Sequence, residues 1–247
     1  EEGSRLTKEI HAIQETLKQQ NTQLEKEQTS YHREASRLES LRNITERYDG
    51  YGNSIRRVME QKNREPGIKG VVADIIHVQK DYEVAIETAL GGSIQNIVTD
   101  NEQTAKRMIG FLKKNRFGRA TFLPLSNISG RGGLNQRDVL SEPGVVGTAN
   151  TLVNADKEYS ELVMYLLGRV LVVDNIDHAI AIGKKYCHSL RMVTIEGESL
   201  SPGGSMTGGA FKNNSNLLGR RREIEELERS VGILRKELEE TQKSIGE

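Results

Sequence analysis

The sequence predicts a mixed α/β (α+β) core of two similar subdomains, carried between two long helices that pair with each other as an antiparallel coiled coil. Three observations carry this expectation. Apolar residues recur on a 3.5-residue spacing at both ends of the chain. Short apolar helix and strand patterns alternate in the middle. The order of those middle patterns recurs once, with matching residues.

The first arm covers residues 1–48. Alternating steps of four and three run through Leu6, Ile10, Ile13, Leu17, Gln20, Leu24, Glu27, Tyr31, Glu34, Leu38, Leu41, Thr45 and Tyr48, most of them apolar or Tyr. A narrow stripe on this period is a coiled-coil seam, since a globular helix shows a broader face. At 1.5 Å per residue the helix would reach roughly 65–70 Å. Asp49-Gly50-Tyr51-Gly52 ends it with glycines suited to left-handed backbone. The second arm covers residues 217–247, with the same stepping through Leu217, Arg220, Ile224, Leu227, Val231, Leu234, Leu238, Thr241 and Ile245. Neither stripe is stable in water alone. One helix enters the middle zone and the other leaves it, so pairing within the chain is antiparallel. The alternative is two separate surface helices, but the first outruns a core of this size.

The middle zone, residues 49–216, reads as strand Ile68–Val78, helix Tyr82–Leu90, strand Ile94–Thr99, helix Asn101–Asn115 and strand Arg119–Leu123. After a looped stretch come helix Tyr159–Leu167, strand Val170–Val173, helix Ile176–Cys187 and strand Arg191–Ile195. Tyr82 stands nine residues before Gly91, and Tyr159 nine before Gly168. Thr99-Asp100-Asn101 matches Val173-Asp174-Asn175, and the strand opening at Arg119 matches the one opening at Arg191. The repeat predicts subdomains over about 49–125 and 145–216. Each Asp stands where a strand meets a helix, where N-capping is its default role.

Lys plus Arg number 35 and Asp plus Glu 35, so global charge selects no partner, and a nucleic-acid reading must rest on local patches. With no Trp and few aromatics, a stacking platform for single strands is disfavoured. Cys187 is the single cysteine, which excludes an internal disulfide and a Cys-based zinc site and points to a reducing compartment. No apolar run approaches the ~18 residues of a membrane span. The chain opens on Glu1 in mid-pattern without an initiator Met or signal peptide, so a segment of a longer chain is expected.

Catalytic motifs fail individually. Gly203-Gly204-Ser205-Met206-Thr207-Gly208-Gly209 is the nearest approach to a phosphate-binding loop, but no Lys follows Gly208. No nucleophile elbow is present, and the five histidines lack metal-ligand spacing. Two features stand out. The glycine-rich Pro202–Gly209 segment is either a mobile surface loop or a place of close backbone-to-backbone contact, such as edge pairing with a second copy. Basic residues concentrate at Lys106, Arg107, Lys113, Lys114, Arg116, Arg119 and Arg131, at Arg56-Arg57 and at Arg220-Arg221-Arg222. The last two groups flank the arms and would form one basic collar, attracting phosphates without reading bases or standing as ordinary solvated charge.

Taken in order, the two heptad helices enclose Gly70-Val-Val-Ala-Asp-Ile-Ile, Tyr82-Glu-Val-Ala-Ile-Glu-Thr-Ala-Leu-Gly-Gly, Gln95-Asn-Ile-Val, Gly118-Arg-Ala-Thr-Phe-Leu-Pro-Leu and Pro202-Gly-Gly-Ser-Met-Thr-Gly-Gly. This resembles the hinge of the SMC (structural maintenance of chromosomes) family, in its bacterial chromosome-partition branch, over the whole chain. The resemblance implies a two-subdomain hinge that homodimerises as a two-fold ring, with Gly203, Gly204, Gly208 and Gly209 at the interface. It implies sequence-independent DNA contact at the hinge–coil junction by Lys113, Lys114, Arg116, Arg220, Arg221 and Arg222. It implies a nucleoid-associated cytoplasmic protein of chromosome condensation and segregation. ATP, Mg and kleisin-type partners would belong to head domains absent from this chain, leaving it no cofactor, metal or catalysis of its own and no membrane partner. The hinge of an SMC-like DNA repair ATPase is the nearest alternative. A zinc-hook repair protein is excluded by the missing Cys-x-x-Cys, and a small-ligand enzyme lacks a polar constellation.

Overall fold

The computed structural model describes residues 2–130, 132–210 and 216–246. In chain order the helices are α1 (Glu2–Glu46), α2 (Asn53–Met59), α3 (Val72–Ile75), α4 (Glu83–Leu90), α5 (Glu102–Asn115), α6 (Ser160–Leu167), α7 (Ile176–Lys185) and α8 (Leu217–Gly246). The strands are β1 (Ile68–Val71), β2 (His77–Val78), β3 (Ile97–Thr99), β4 (Phe122–Pro124), β5 (Val145–Thr148), β6 (Val153–Asn154), β7 (Val170–Val173), β8 (Arg191–Thr194), β9 (Ser199–Leu200) and β10 (Met206–Thr207). The chain divides into two compact units: residues 1–46 with 223–247, and residues 47–222. No described helix is long and apolar enough to cross a membrane.

In the first unit α1 and the body of α8 run antiparallel. Glu34 pairs with Ser230, Tyr31 accepts from Arg235 at 3.5 Å, and Gln20 donates to Ser244 at 3.0 Å. Partner numbers rise on one helix as they fall on the other. Arg42 adds a 2.8 Å ion pair with Glu228, and Arg37 pairs with Glu223. Leu38, on the seam, is buried. Leu6, Ile10, Ile13 and Leu17 lie beyond the Gln20–Ser244 level and stay exposed.

The second unit is built on a repeated scaffold. In the first copy β1 and β3 are antiparallel and β3 and β4 parallel; in the second, β5 and β7 are antiparallel and β7 and β8 parallel. Each first strand carries a bulge, between Ile68 and Gly70 and between Val145 and Gly147. Both bulge glycines hold positive φ, +148° and +155°. The amide of Asp100 donates to the Gly67 carbonyl at 2.8 Å, and that of Asp174 to the Gly144 carbonyl at 2.8 Å. Behind this lies a sequence identity, Glu65-Pro-Gly-x-x-Gly70 against Glu142-Pro-Gly-x-x-Gly147. The helix of each copy returns a cation to its Glu: Arg107 reaches Glu65 at 3.0 Å, and Lys185 pairs with Glu142. The copies join where β2 pairs antiparallel with β6, Val78 opposite Val153.

The core follows the two-residue strand period. All of Val170–Val173 is buried. Val170 and Val172 face the large shared core, while Leu171 and Val173 face a smaller cluster with Ala179 and Ile182 of α7. Both faces of β7 are therefore covered, which is why it reads as an unbroken apolar run.

Several expected elements are corrected. The strand expected over 68–78 is split by α3, because the Val72 amide bonds the Asn96 carbonyl and Ile76 closes a turn onto Val72. Residues 94–96 leave the strand expected there, since the Asn96 amide turns back to Ser93. β4 starts at Phe122, in register with Ile97, so Arg119 precedes it. α7 stops at Lys185, where Cys187 and His188 turn left-handed and the His188 amide caps Gly183 at 2.7 Å. The N-caps are Asn101 and Asn175, one residue past the expected aspartates, accepting from Thr104 at 3.0 Å and His178 at 2.9 Å. The aspartates buttress these caps: Asp100 accepts the Thr104 hydroxyl at 2.6 Å, and Asp174 bonds His178 Nδ1 at 2.7 Å.

Candidate functional site

The glycine-rich segment forms a hairpin that extends the second sheet, in the order β10-β9-β8-β7-β5. Met206 pairs with Leu200 and Thr207 with Ser199. The turn closes through Ser201 donating to Ser205 at 2.9 Å, Gly204 to Ser201 at 3.0 Å and Gly203 to the His188 carbonyl at 2.8 Å. Gly203 and Gly204 hold φ of +92° and +95°, a region that Cβ-bearing residues rarely adopt. Gly208 lies under Glu198, where a Cβ would stand 3.2 Å from Cγ, and Gly209 holds φ +131°. β10 is the sheet's last strand among the described residues, and Met206 and Thr207 are both exposed. Gly203 and Gly204 thus lie in the hairpin turn, and Gly208 and Gly209 directly follow β10.

The predicted basic residues fall into two groups. Lys113 and Lys114 occupy the last turn of α5, exposed, at the negative end of the helix dipole. Arg116 takes the left-handed C-cap position, also exposed, and the Phe117 amide closes the end on Leu112 at 3.1 Å. α2 packs on this helix. Arg57 lies 4.8 Å over the Phe117 ring and reaches Glu60 at 3.4 Å, while Ser54 donates to the Arg119 carbonyl at 2.7 Å. Segments 53–59 and 113–119 therefore bring Arg56, Arg57, Lys113, Lys114, Arg116 and Arg119 onto one region of the unit. Arg131 lies outside the described residues.

Arg220, Arg221 and Arg222 are engaged with acceptors. Arg220 donates to the Asp49 carbonyl at 2.8 Å, Arg221 lies 3.8 Å from Asp74, and Arg222 pairs with the buried Glu83. Around them sits a half-buried polar cluster that sequence reasoning did not find. Tyr48 donates to Asp74 at 3.3 Å and stacks edge-on to Tyr51. Burial raises the Asp74 carboxyl, against the pull of Arg221, and burial likewise pushes both phenols upward. Glu87 accepts the Leu218 amide at 3.4 Å in the first turn of α8. Burial first, and the Glu83 charge after it, push its carboxyl up to about 7 despite that amide. The available signal was the i, i+4 spacing of Glu83 and Glu87 on a helix whose other residues, Thr88 apart, are apolar.

The fold and edge define an α/β module of two related halves, with a sheet that ends on β10 among the described residues and a coiled-coil arm. Residues 65–183 match the SMC proteins Flexible Hinge Domain family. The chain is 40% identical over 209 residues to the chromosome partition protein Smc of Lactiplantibacillus plantarum, covering 83% of this chain and 18% of that one. It is 36% identical to the Bacillus subtilis protein of the same name, covering 99% and 23%. It therefore spans about a fifth of the length of these relatives. Its structure superposes on an asymmetric dimer's SMC hinge domain from Geobacillus stearothermophilus with TM-score 0.88 and 35% identity, covering 95% of this chain and 96% of that one. The Pyrococcus furiosus Smc hinge domain with an extended coiled coil gives TM-score 0.57 at 27% identity, covering 98% and 88%. The chain belongs to the SMC hinge family, with its adjoining coiled coil.

Proposed function

We propose that this chain is the homodimerisation hinge of a chromosome condensation and segregation ATPase, with residues 49–216 as the hinge domain and residues 1–48 and 217–247 as its arms. The observation that carries the reading is the open β10 edge, bordered by Gly208 and Gly209. An exposed strand edge is a template for pairing with another chain. The dimeric Geobacillus relative supports a second copy as the partner. ATP hydrolysis with Mg, and kleisin-type partners, belong on this reading to head domains outside the chain. The place of action is the nucleoid in the cytoplasm.

Sedimentation tests the pairing. The chain is expected to be a dimer at micromolar concentration, and a Gly208→Leu, Gly209→Leu variant a monomer with unchanged far-UV circular dichroism. A monomeric parent, or a dimeric variant, removes the claim.

DNA contact is proposed at Lys113, Lys114 and Arg116 with Arg220–Arg222, reading phosphates and not bases. The exposed α5 group is expected to carry more of it, because each of Arg220–Arg222 already has an acceptor within the unit. Neutralising Lys113, Lys114 and Arg116 to Gln should shallow the slope of log affinity against log salt by about 2–3. Neutralising Arg220–Arg222 should change it less. The reverse ranking moves the contact to the arm root.

A further inference from the structure

We propose that His188 is the positioning residue of the glycine hairpin and, on the reading of that hairpin as the pairing segment, sets how tightly two copies associate. Both halves close their long helix with the same pair of bonds. The Arg116 and Phe117 amides return to Lys113 and Leu112 at 3.3 and 3.1 Å, and the Cys187 and His188 amides return to Lys184 and Gly183 at 3.3 and 2.7 Å. The first residue of each closing pair is left-handed, Arg116 at φ +54° and Cys187 at φ +54°. The halves differ at the second. Phe117 is not left-handed, and the next such step falls on Gly118 at φ +94°, where no side chain opposes it. His188 takes the step itself, at φ +51°.

Left-handed backbone is disfavoured for a residue that carries a Cβ, and it persists where surrounding contacts hold it. At His188 those contacts lead to the hairpin. Its amide is held by α7, and its carbonyl accepts the Gly203 amide at 2.8 Å. The Gly204 amide then closes the turn on Ser201 at 3.0 Å. The imidazole ring lies between the same two elements: an added Cβ would stand 3.3 Å from Nδ1 at Gly183 and 3.7 Å from Cγ at Gly204. With Leu200 of β9 and Met206 of β10 the ring lines one apolar slot. The left-handed turn at His188 thus aims its carbonyl at the hairpin, and the strain sits where the hairpin is attached. A residue that resists this φ should loosen the hairpin, and one that accepts it should keep the attachment.

Hydrogen exchange of the turn amides, residues 201–204, tests the attachment, at protein concentrations below the dimer's dissociation constant so that a partner copy adds no protection. Exchange is expected to be about tenfold faster in His188→Val, with β7 amides exchanging as in the parent. His188→Ala should fall between the two at about threefold, and it decides the matter if the Val variant does not fold. His188→Gly and His188→Asn, which both accept left-handed backbone, should exchange as the parent does. Sedimentation should show the dissociation constant of the dimer raised about tenfold in His188→Val and unchanged in His188→Asn. Uniform exchange across the series, or faster exchange in the Gly or Asn variant, overturns the positioning role. Fast exchange in His188→Val with an unchanged dissociation constant overturns its link to pairing. A monomeric parent removes the pairing reading itself, while the exchange series still decides whether His188 holds the hairpin.

Discussion

The two halves of the hinge unit share a scaffold down to single hydrogen bonds, and they differ in what is attached to it. The first half, residues 67–125, adds α2 and ends α5 in exposed cations. The second, residues 144–195, continues into a glycine hairpin that ends its sheet among the described residues. The helix before each central strand differs too. Glu83 and Glu87 of α4 become Ser160 and Met164 of α6 at the matching positions. α4 holds the start of α8 through Arg222 and the Leu218 amide. α6 instead packs Met164 close under Gly130, where a Cβ would overlap it. The repeat supplies the shared scaffold, and the added segments supply the candidate surfaces.

The largest test of that comparison is at the paired glycines of the Glu-Pro-Gly motif. An Ala at Gly67 would place Cβ 2.5 Å from Asp100 Oδ1, and at Gly144 2.5 Å from Asp174 Oδ1. Gly144 also holds φ +85°, while Gly67 has no such backbone requirement. Gly144→Ala is expected to cost about 3 kcal/mol and Gly67→Ala about 2 kcal/mol. Urea denaturation midpoints check both. Equal or reversed costs would mean that the two caps are not built alike.

Glu87 sharpens the difference between the halves. Its pKa is higher folded, about 7, than its ordinary 4.5. The folded state then binds the proton more tightly, so stability falls as pH rises through that window and levels off above it. Glu87→Gln is expected to flatten this slope. Above pH 7 it should stabilise the chain by ~1–2 kcal/mol, a figure reduced for partial solvent screening. Unfolding measured at pH 5 and pH 8 decides; a parallel shift of parent and variant would remove Glu87 as the source.

The smallest effects are expected at the caps. Asn101→Ala and Asn175→Ala should each cost about 1 kcal/mol, since each asparagine satisfies one amide of the first helical turn. A much larger loss at Asn175 would show that the Asp174–His178 pair depends on it.

Much of this architecture was legible. The seam periodicity predicted α1 and α8 almost to the residue, and the Tyr–Gly spacing located matching helices in both halves. The Glu-Pro-Gly identity would have extended the repeat to β1 and β5 had the comparison begun before Tyr82. Short strands escaped because two to four residues among glycines have no readable period. Ile68–Val78 misled because Val and Ile favour extended backbone locally, while the Asn96 carbonyl turns the chain at Val72. The glycine-rich segment stood out by composition, and its place in a hairpin at the end of a sheet did not. Arg220–Arg222 stood out as charge, but their acceptors come from residues 49, 74 and 83, far away in sequence.

The sequence by itself determined the coiled-coil pairing, the alternation of helices and strands and the twofold recurrence, because each is a local periodicity of apolar residues. Only the tertiary structure decided which strand ended the second sheet among the described residues and which arginines were tied to acceptors far away in sequence. Those outcomes depend on sheet order and parallel register, and both are set by contacts between residues that no local period connects.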